Sequence, residues 1–86
     1  MVLFVANFDY ETEEYELEQL FSKFGTVHSL KICRNGTGQS AYGFVEMLSD
    51  YEAERAIEVL NGRWWKRRRL KVNEKYARLN DDDDDD

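Results

Sequence analysis

The chain has one cysteine, Cys33, and one histidine, His28. A single thiol excludes an internal disulfide and any multi-cysteine zinc site, and the pair supplies too few ligands for metal chemistry. Neither a metal nor a cofactor is therefore expected. No apolar run approaches the length of a membrane span, and no signal-peptide pattern opens the sequence. An intracellular protein without a membrane partner is expected. The five glycines form no phosphate-cradling loop, and no histidine stands near a candidate nucleophile. With those parts missing, no enzyme and no catalytic residue are expected.

What remains is a short, heavily charged chain. Its 86 residues suffice for one small domain and no second core. The net charge of −6 resides wholly in the terminal run Asp81–Asp86, because residues 1–80 hold 12 acids and 12 bases. Those charges are segregated. Residues 1–60 carry 11 acids against four bases, and residues 61–80 carry eight bases against Glu74 alone. Like charges repel and bury nothing, so residues 79–86 are expected to form a disordered acidic tail on a domain of residues 1–78. The basic stretch also holds Trp64, Trp65 and Tyr76. Bases interleaved with aromatics favour a polyanionic partner with stackable groups, where an aromatic-free run would read as a solvated face.

Along the chain, residues 2–6 read as a strand and residues 7–11 as a loop. Thr12 is expected to cap a helix whose first turn holds Glu13 and Glu14, acids that suit the positive end of the helix dipole. Leu17, Leu20, Phe21 and Phe24 recur at helical spacing, and Gly25 is expected to close the helix. Val27 to Arg34 form a second strand, with Val27, Leu30 and Ile32 inward and Ser29, Lys31 and Cys33 outward. A turn over residues 35–38 leads to a third strand, Ala41 to Met47. Ser49 and Glu52 have the spacing of a capping box for a second helix. Its apolar stripe is Ala53, Ala56, Ile57 and Leu60, and Asn61-Gly62 ends it. Trp64-Trp65 read as the start of a short extra strand, and Leu70 to Asn73 as the last one, with Leu70 and Val72 inward.

The order β-α-β-β-α-β predicts an α+β, ferredoxin-like sandwich. It has a four-stranded antiparallel sheet with two helices on one face and the other face open. Right-handed crossovers make the first and third strands neighbours at the centre of the sheet. Side chains two apart on a strand share a face, so Tyr42 and Phe44 stand side by side and Phe4 joins them. Three flat rings on an uncovered face suit stacking by unpaired bases. The alternative, that these rings are core, is disfavoured because the opposite alternation already supplies one.

Two segments carry a family resemblance. Leu3-Phe4-Val5-Ala6-Asn7-Phe8 is similar to the six-residue RNP motif of the RNA-recognition motif (RRM) family, and Ser40 to Met47 to its eight-residue motif. Leu20 to Gly25 and Ala56 to Gly62 resemble the family's helix endings. The resemblance implies a single-stranded RNA-binding module that stacks bases on Phe4, Tyr42 and Phe44. Lys31, Lys71, Arg67, Arg68 and Arg69 would attract phosphates, and Asn73 would read a base edge. It further implies RNA processing, such as splicing, or another ribonucleoprotein role, with other proteins as partners, a monomeric domain, and the nucleus over the cytoplasm. Three positions depart from the pattern: Ser40 stands for a basic residue, Ala41 for glycine and Met47 for an aromatic. The first removes an expected phosphate contact, and the others bear on packing.

Other readings stay beside this one. Lys31, Lys71 and Asn73 also fit a plain solubilising surface, Cys33 a small spacer and Trp65 a lid over the second helix. Lys66 to Arg69 also suit a nuclear import signal. Arg63-Trp64-Trp65 resembles the loop of a variant RRM class that binds short tryptophan-bearing peptides. In that reading Arg63, Trp65, Glu14 and Glu18 form the site.

Overall fold

The computed structural model describes residues 1–34, 36 and 38–75, so the expected acidic tail lies outside the described residues. The alternating run Val2–Asp9 forms β1, with Leu3 and Val5 fully buried while Phe4 and Ala6 point the other way. Helix α1 spans Glu14–Ser22, β2 Val27–Arg34, β3 Ser40–Met47 and α2 Asp50–Leu60. A small hairpin follows, β4 (Trp64–Trp65) and β5 (Arg68–Arg69), and β6 (Lys71–Glu74) is the last strand among the described residues. The main sheet has the order β2-β3-β1-β6, antiparallel throughout. Both helices cover one face: Leu17 and Phe21 of α1 and Ala53, Ala56 and Leu60 of α2 are buried in one core with the inward strand residues. The fold is the expected four-stranded, two-helix ferredoxin-like sandwich.

β1 runs farther than the sequence suggests. Residues 7–11 are expected as loop, yet the strand continues to Asp9. A bulge makes this possible: Ala6 opposes Tyr42 and Phe8 opposes Ala41, leaving Asn7 unpaired between them at φ 66°. Asparagine is among the few non-glycine residues that accept this left-handed conformation at modest cost. The inserted residue inverts the alternation, so Phe8 enters the core instead of joining Phe4 and Ala6. A second bulge at His28 does the same for β2, which lets Val27 and Leu30 both pack inward.

The helix ends differ from expectation at α1 and agree at α2. The cap of α1 is Glu13 and not Thr12. Thr12 is fully buried, its carbonyl accepting from Arg34 Nη2 at 2.5 Å, and the helix starts one residue later. Glu16 then reaches back to accept from the Glu13 N–H at 2.9 Å. At the other end Lys23 is the cap, and Gly25 has no left-handed backbone. Glycine is required there for space, because a Cβ would overlap the Glu52 side chain of α2. In α2, Ser49 Oγ accepts from the Glu52 N–H at 3.2 Å, and Gly62 follows the helix at φ 85°.

Candidate nucleic-acid interface

The register of the sheet sets the uncovered face out as rows. Lys31 opposes Phe44, Phe44 opposes Phe4, and Phe4 opposes Asn73, so one row crosses β2, β3, β1 and β6 in turn. The next row is Cys33, Tyr42, Ala6 and Lys71. Neither helix covers these rows, since both lie on the face that Leu3, Val5 and Val45 line. The alternation visible in the sequence is thus enough to gather Phe4, Tyr42, Phe44, Lys31, Lys71 and Asn73 on one surface.

The three rings hold one another. Phe4 lies 5.7 Å from Phe44 and 5.9 Å from Tyr42 between centroids, with interplanar angles of 51° and 40°. Tyr42 and Phe44 meet edge to face at 6.1 Å. Such pairs add roughly 0.5–1.5 kcal/mol beyond their burial, so the platform is ordered before any ligand arrives. All three rings are half-buried at their edges and keep surface for a stacking partner. Gly43, between Tyr42 and Phe44, opposes Ile32, and a Cβ there would press into the Lys31 carbonyl. A side chain at that point would push β2 away and pull Lys31 off its row.

The sequence reading groups Arg67, Arg68 and Arg69, and the structure separates them. Arg67 occupies the hairpin turn and is exposed. Arg68 is half-buried and donates from Nη2 to Asn7 Oδ1 at 3.2 Å; its buried Nε has no partner among the described residues. It acts as a strut between hairpin and sheet. Arg69 holds its guanidinium 5.7 Å from the Trp64 ring centroid and donates from Nη1 to the Gly62 carbonyl at 3.1 Å.

Three contributors escape the sequence reading. Lys75, counted only within the basic stretch, places its ammonium 5.0 Å from the centroid of Phe44. Asn7 donates from Nδ2 to the Arg69 carbonyl at 2.8 Å, so the bulge that redirects Phe8 also anchors the hairpin. Glu46 puts an acid on the open face, where it accepts from Ser29 Oγ at 3.0 Å. Its position in β3, two residues after Phe44, was a sufficient signal.

The residues of the peptide-binding alternative are dispersed. Trp65 packs against the core and borders a depression beside α1 with Glu16, Gln19, Leu20 and Lys23. Lys66 closes this junction with an ion pair to Glu16 at 2.8 Å. Its hydrogen bond, followed by that from the Glu13 N–H, holds the Glu16 carboxyl below the ordinary glutamate range. Glu14 and Glu18 are exposed and do not line the depression, and Arg63 is exposed at the turn after α2.

Comparison with known proteins agrees with this geometry. The sequence matches the family model described as RNA recognition motif over residues 3–71. It is 40% identical over 73 residues to the cytotoxic granule-associated RNA binding protein tiar-1 of Caenorhabditis elegans, covering 83% of this chain and 18% of that protein. The chain therefore spans about a fifth of that relative. It is also 40% identical to RbpA of Nostoc sp., over 91% of this chain and 78% of that one. Among solved structures, the Rna15 RRM with bound RNA (GU) superposes with a TM-score of 0.75 at 29% identity, covering 85% of this chain and 80% of that one. The family match takes in both ring-bearing strands and both helices and reaches the first residue of β6, and on that extent the chain belongs to the RNA recognition motif family.

Proposed function

We propose that this domain is a non-enzymatic module that binds single-stranded RNA by stacking bases on Phe4, Tyr42 and Phe44. The observation that carries the reading is the ring cluster itself. Three aromatics lie within 5.7–6.1 Å of one another on a sheet face that neither helix covers, flanked in register by Lys31, Lys71 and Asn73. A sheet has no structural need for such a row on its solvent side, and bases stack on rings so placed. Lys31 and Lys71 supply charge for phosphates at either side of the rings, and Asn73 supplies an amide for a base edge. Stacking without an extensive set of base-edge contacts gives modest affinity and a role shared with other proteins in RNA processing or ribonucleoprotein assembly. Relatives named as RNA-binding proteins and the RNA-bound Rna15 domain support the reading. The peptide alternative is less well supported, because Lys66 already engages Glu16 and Trp65 fills the space beside α1.

Amide shifts followed during titration with a short mixed-sequence RNA, and separately with a tryptophan-containing basic peptide, test the assignment. RNA should move the amides of β1 and β3 around the rings. Shifts confined to α1 and the hairpin, produced by the peptide and not by RNA, would replace this reading with the alternative.

A further inference from the structure

The hairpin holds a second aromatic that the sheet does not account for. Trp64 is 62% exposed, whereas its neighbour Trp65 is turned inward against the core. A single exposed ring is ordinary on a small domain, as Tyr15 and Tyr51 are here, and Trp64 differs from these in its surroundings. Trp64 is also held in place. Its register partner Arg69 lays a guanidinium against the ring, and Arg69 is fixed in turn through Gly62 and Asn7. The hairpin is built at some cost. Lys66 and Arg67, the two turn residues, both have positive φ, at 49° and 73°, without a glycine or asparagine to ease it. Strain of this kind persists where the surroundings over-determine it, and functional segments are where it collects.

Trp64 is tied to the sheet through its register partner. In β6, Val72 is buried, so Lys71 and Asn73 project towards the face of the platform, and Arg69, two residues before Lys71 and paired with Trp64, accepts through its carbonyl from Asn7 of β1 at 2.8 Å. A shallow depression lined by Phe4, Tyr42, Ala6, Ser40, Asn7 and Lys71 leads from the rings to Asn7, the residue that carries the hairpin. Between residues 61 and 73 the chain has six bases and no acid. The surface beyond Lys71 therefore combines an ordered ring with charge for a polyanion, which excludes a basic peptide as its natural occupant.

We infer that Trp64 is an additional base-stacking position outside the sheet. One face of the indole is backed by Arg69 and the other receives a nucleobase, while Arg67 and Arg69 engage the flanking phosphate. RNA that leaves the platform past Lys71 thus places a further nucleotide on the hairpin. The inference rests on the RNA-binding reading above and adds to it a site and a minimum ligand length.

Affinity measured against a series of mixed-sequence RNAs, from trinucleotide to octanucleotide, separates the two claims. Trp64→Ala should leave the trinucleotide unaffected and weaken the octanucleotide about tenfold, the scale of one lost stack. Trp64→Phe, which keeps a ring, should recover part of the loss. Phe44→Ala should weaken every length. Thermal melting of each variant establishes that it is folded, and Trp64→Phe keeps the test decisive if the alanine variant is not. Equal affinity of parent and both Trp64 variants for the octanucleotide would overturn the inference and leave the platform reading intact. An equal loss on the trinucleotide, or a basic peptide whose binding depends on Trp64, would also overturn it. No binding of any RNA by the parent would remove the platform reading and this inference together.

Discussion

The ammonium of Lys75 stands 5.0 Å from the centre of the Phe44 ring, at the end of β6 and above the middle of the platform. At an exposed site such a contact is worth about 0.5–1 kcal/mol, so it orders the side chain without sealing the ring. In the proposed complex a base stacking on Phe44 would take its place, and the long stem would let the charge move to the adjoining phosphate. With two to four phosphates neutralised, log affinity for RNA should fall against log salt with a slope of about −1.4 to −2.8. Lys75→Ala should reduce that slope by about 0.7, the share of one phosphate. Titrations at three or more salt concentrations measure it, and an unchanged slope would place Lys75 outside the RNA path.

Phe44 and Phe21 should respond in opposite ways to the same truncation. Phe44→Ala removes a stacking surface from the open face and should weaken RNA binding by about 1–3 kcal/mol in a folded protein. Phe21 is fully buried between α1 and the sheet. Phe21→Ala should cost about 3–5 kcal/mol of stability through the cavity it leaves. Urea denaturation and RNA titration of both variants check the pair. A folded Phe44→Ala with parental affinity would refute the platform.

Asn7 serves both the backbone and the hairpin, and two substitutions separate these roles. Asn7→Gly keeps the left-handed conformation but loses the hydrogen bonds with Arg68 and Arg69. The expected loss is about 1–2 kcal/mol, mostly from the hydrogen bonds. Asn7→Val loses the same bonds and adds a branched side chain at positive φ, for about 1–2 kcal/mol more. Chemical denaturation should therefore rank parent, glycine and valine in that order.

The Glu16–Lys66 pair makes a small part of the stability depend on pH. The hydrogen bond from Lys66 comes first among the causes that lower the Glu16 pKa. The unfolded chain therefore takes up this proton at a higher pH than the folded one. The contribution is fully present above the unfolded pKa and is lost as the pH falls through the folded value. Glu16→Gln should melt slightly below the parent near neutral pH and converge with it in acid. Identical melting at every pH would mean that the Glu16 charge contributes nothing to holding the hairpin to α1.

Sequence periodicity was enough to locate the sheet, the helices and the ring row. Phe4, Tyr42 and Phe44 alternate with Leu3, Val5, Gly43 and Val45, and that alternation survives folding unchanged. What it misses are one-residue events. The bulges at Asn7 and His28 leave composition and pattern nearly intact while inverting every face beyond them. The turn at Lys66-Arg67 has none of the residues that announce positive φ, because contacts from Lys66 to Thr12 and Glu16 hold it from outside. Lys75 escapes for a related reason, since its place over Phe44 depends on the path of the chain past β6.

The bulge at Asn7 acts within one strand as an inserted base does in a reading frame: it shifts the phase. Ahead of it, even-numbered residues face the open side of the sheet, and after it an even-numbered residue, Phe8, faces the core. Deleting Asn7 would close the bulge and leave Phe8 directly after Ala6, still opposite Ala41 and still facing the core. Keeping Asn7 but drawing it into the ladder would instead put Phe8 in step with Phe4 and Ala6, giving the outer face a fourth ring and taking a phenylalanine from the interior. In β1 a shortened strand and a straightened one are therefore different kinds of change, and only the second trades interior for exterior.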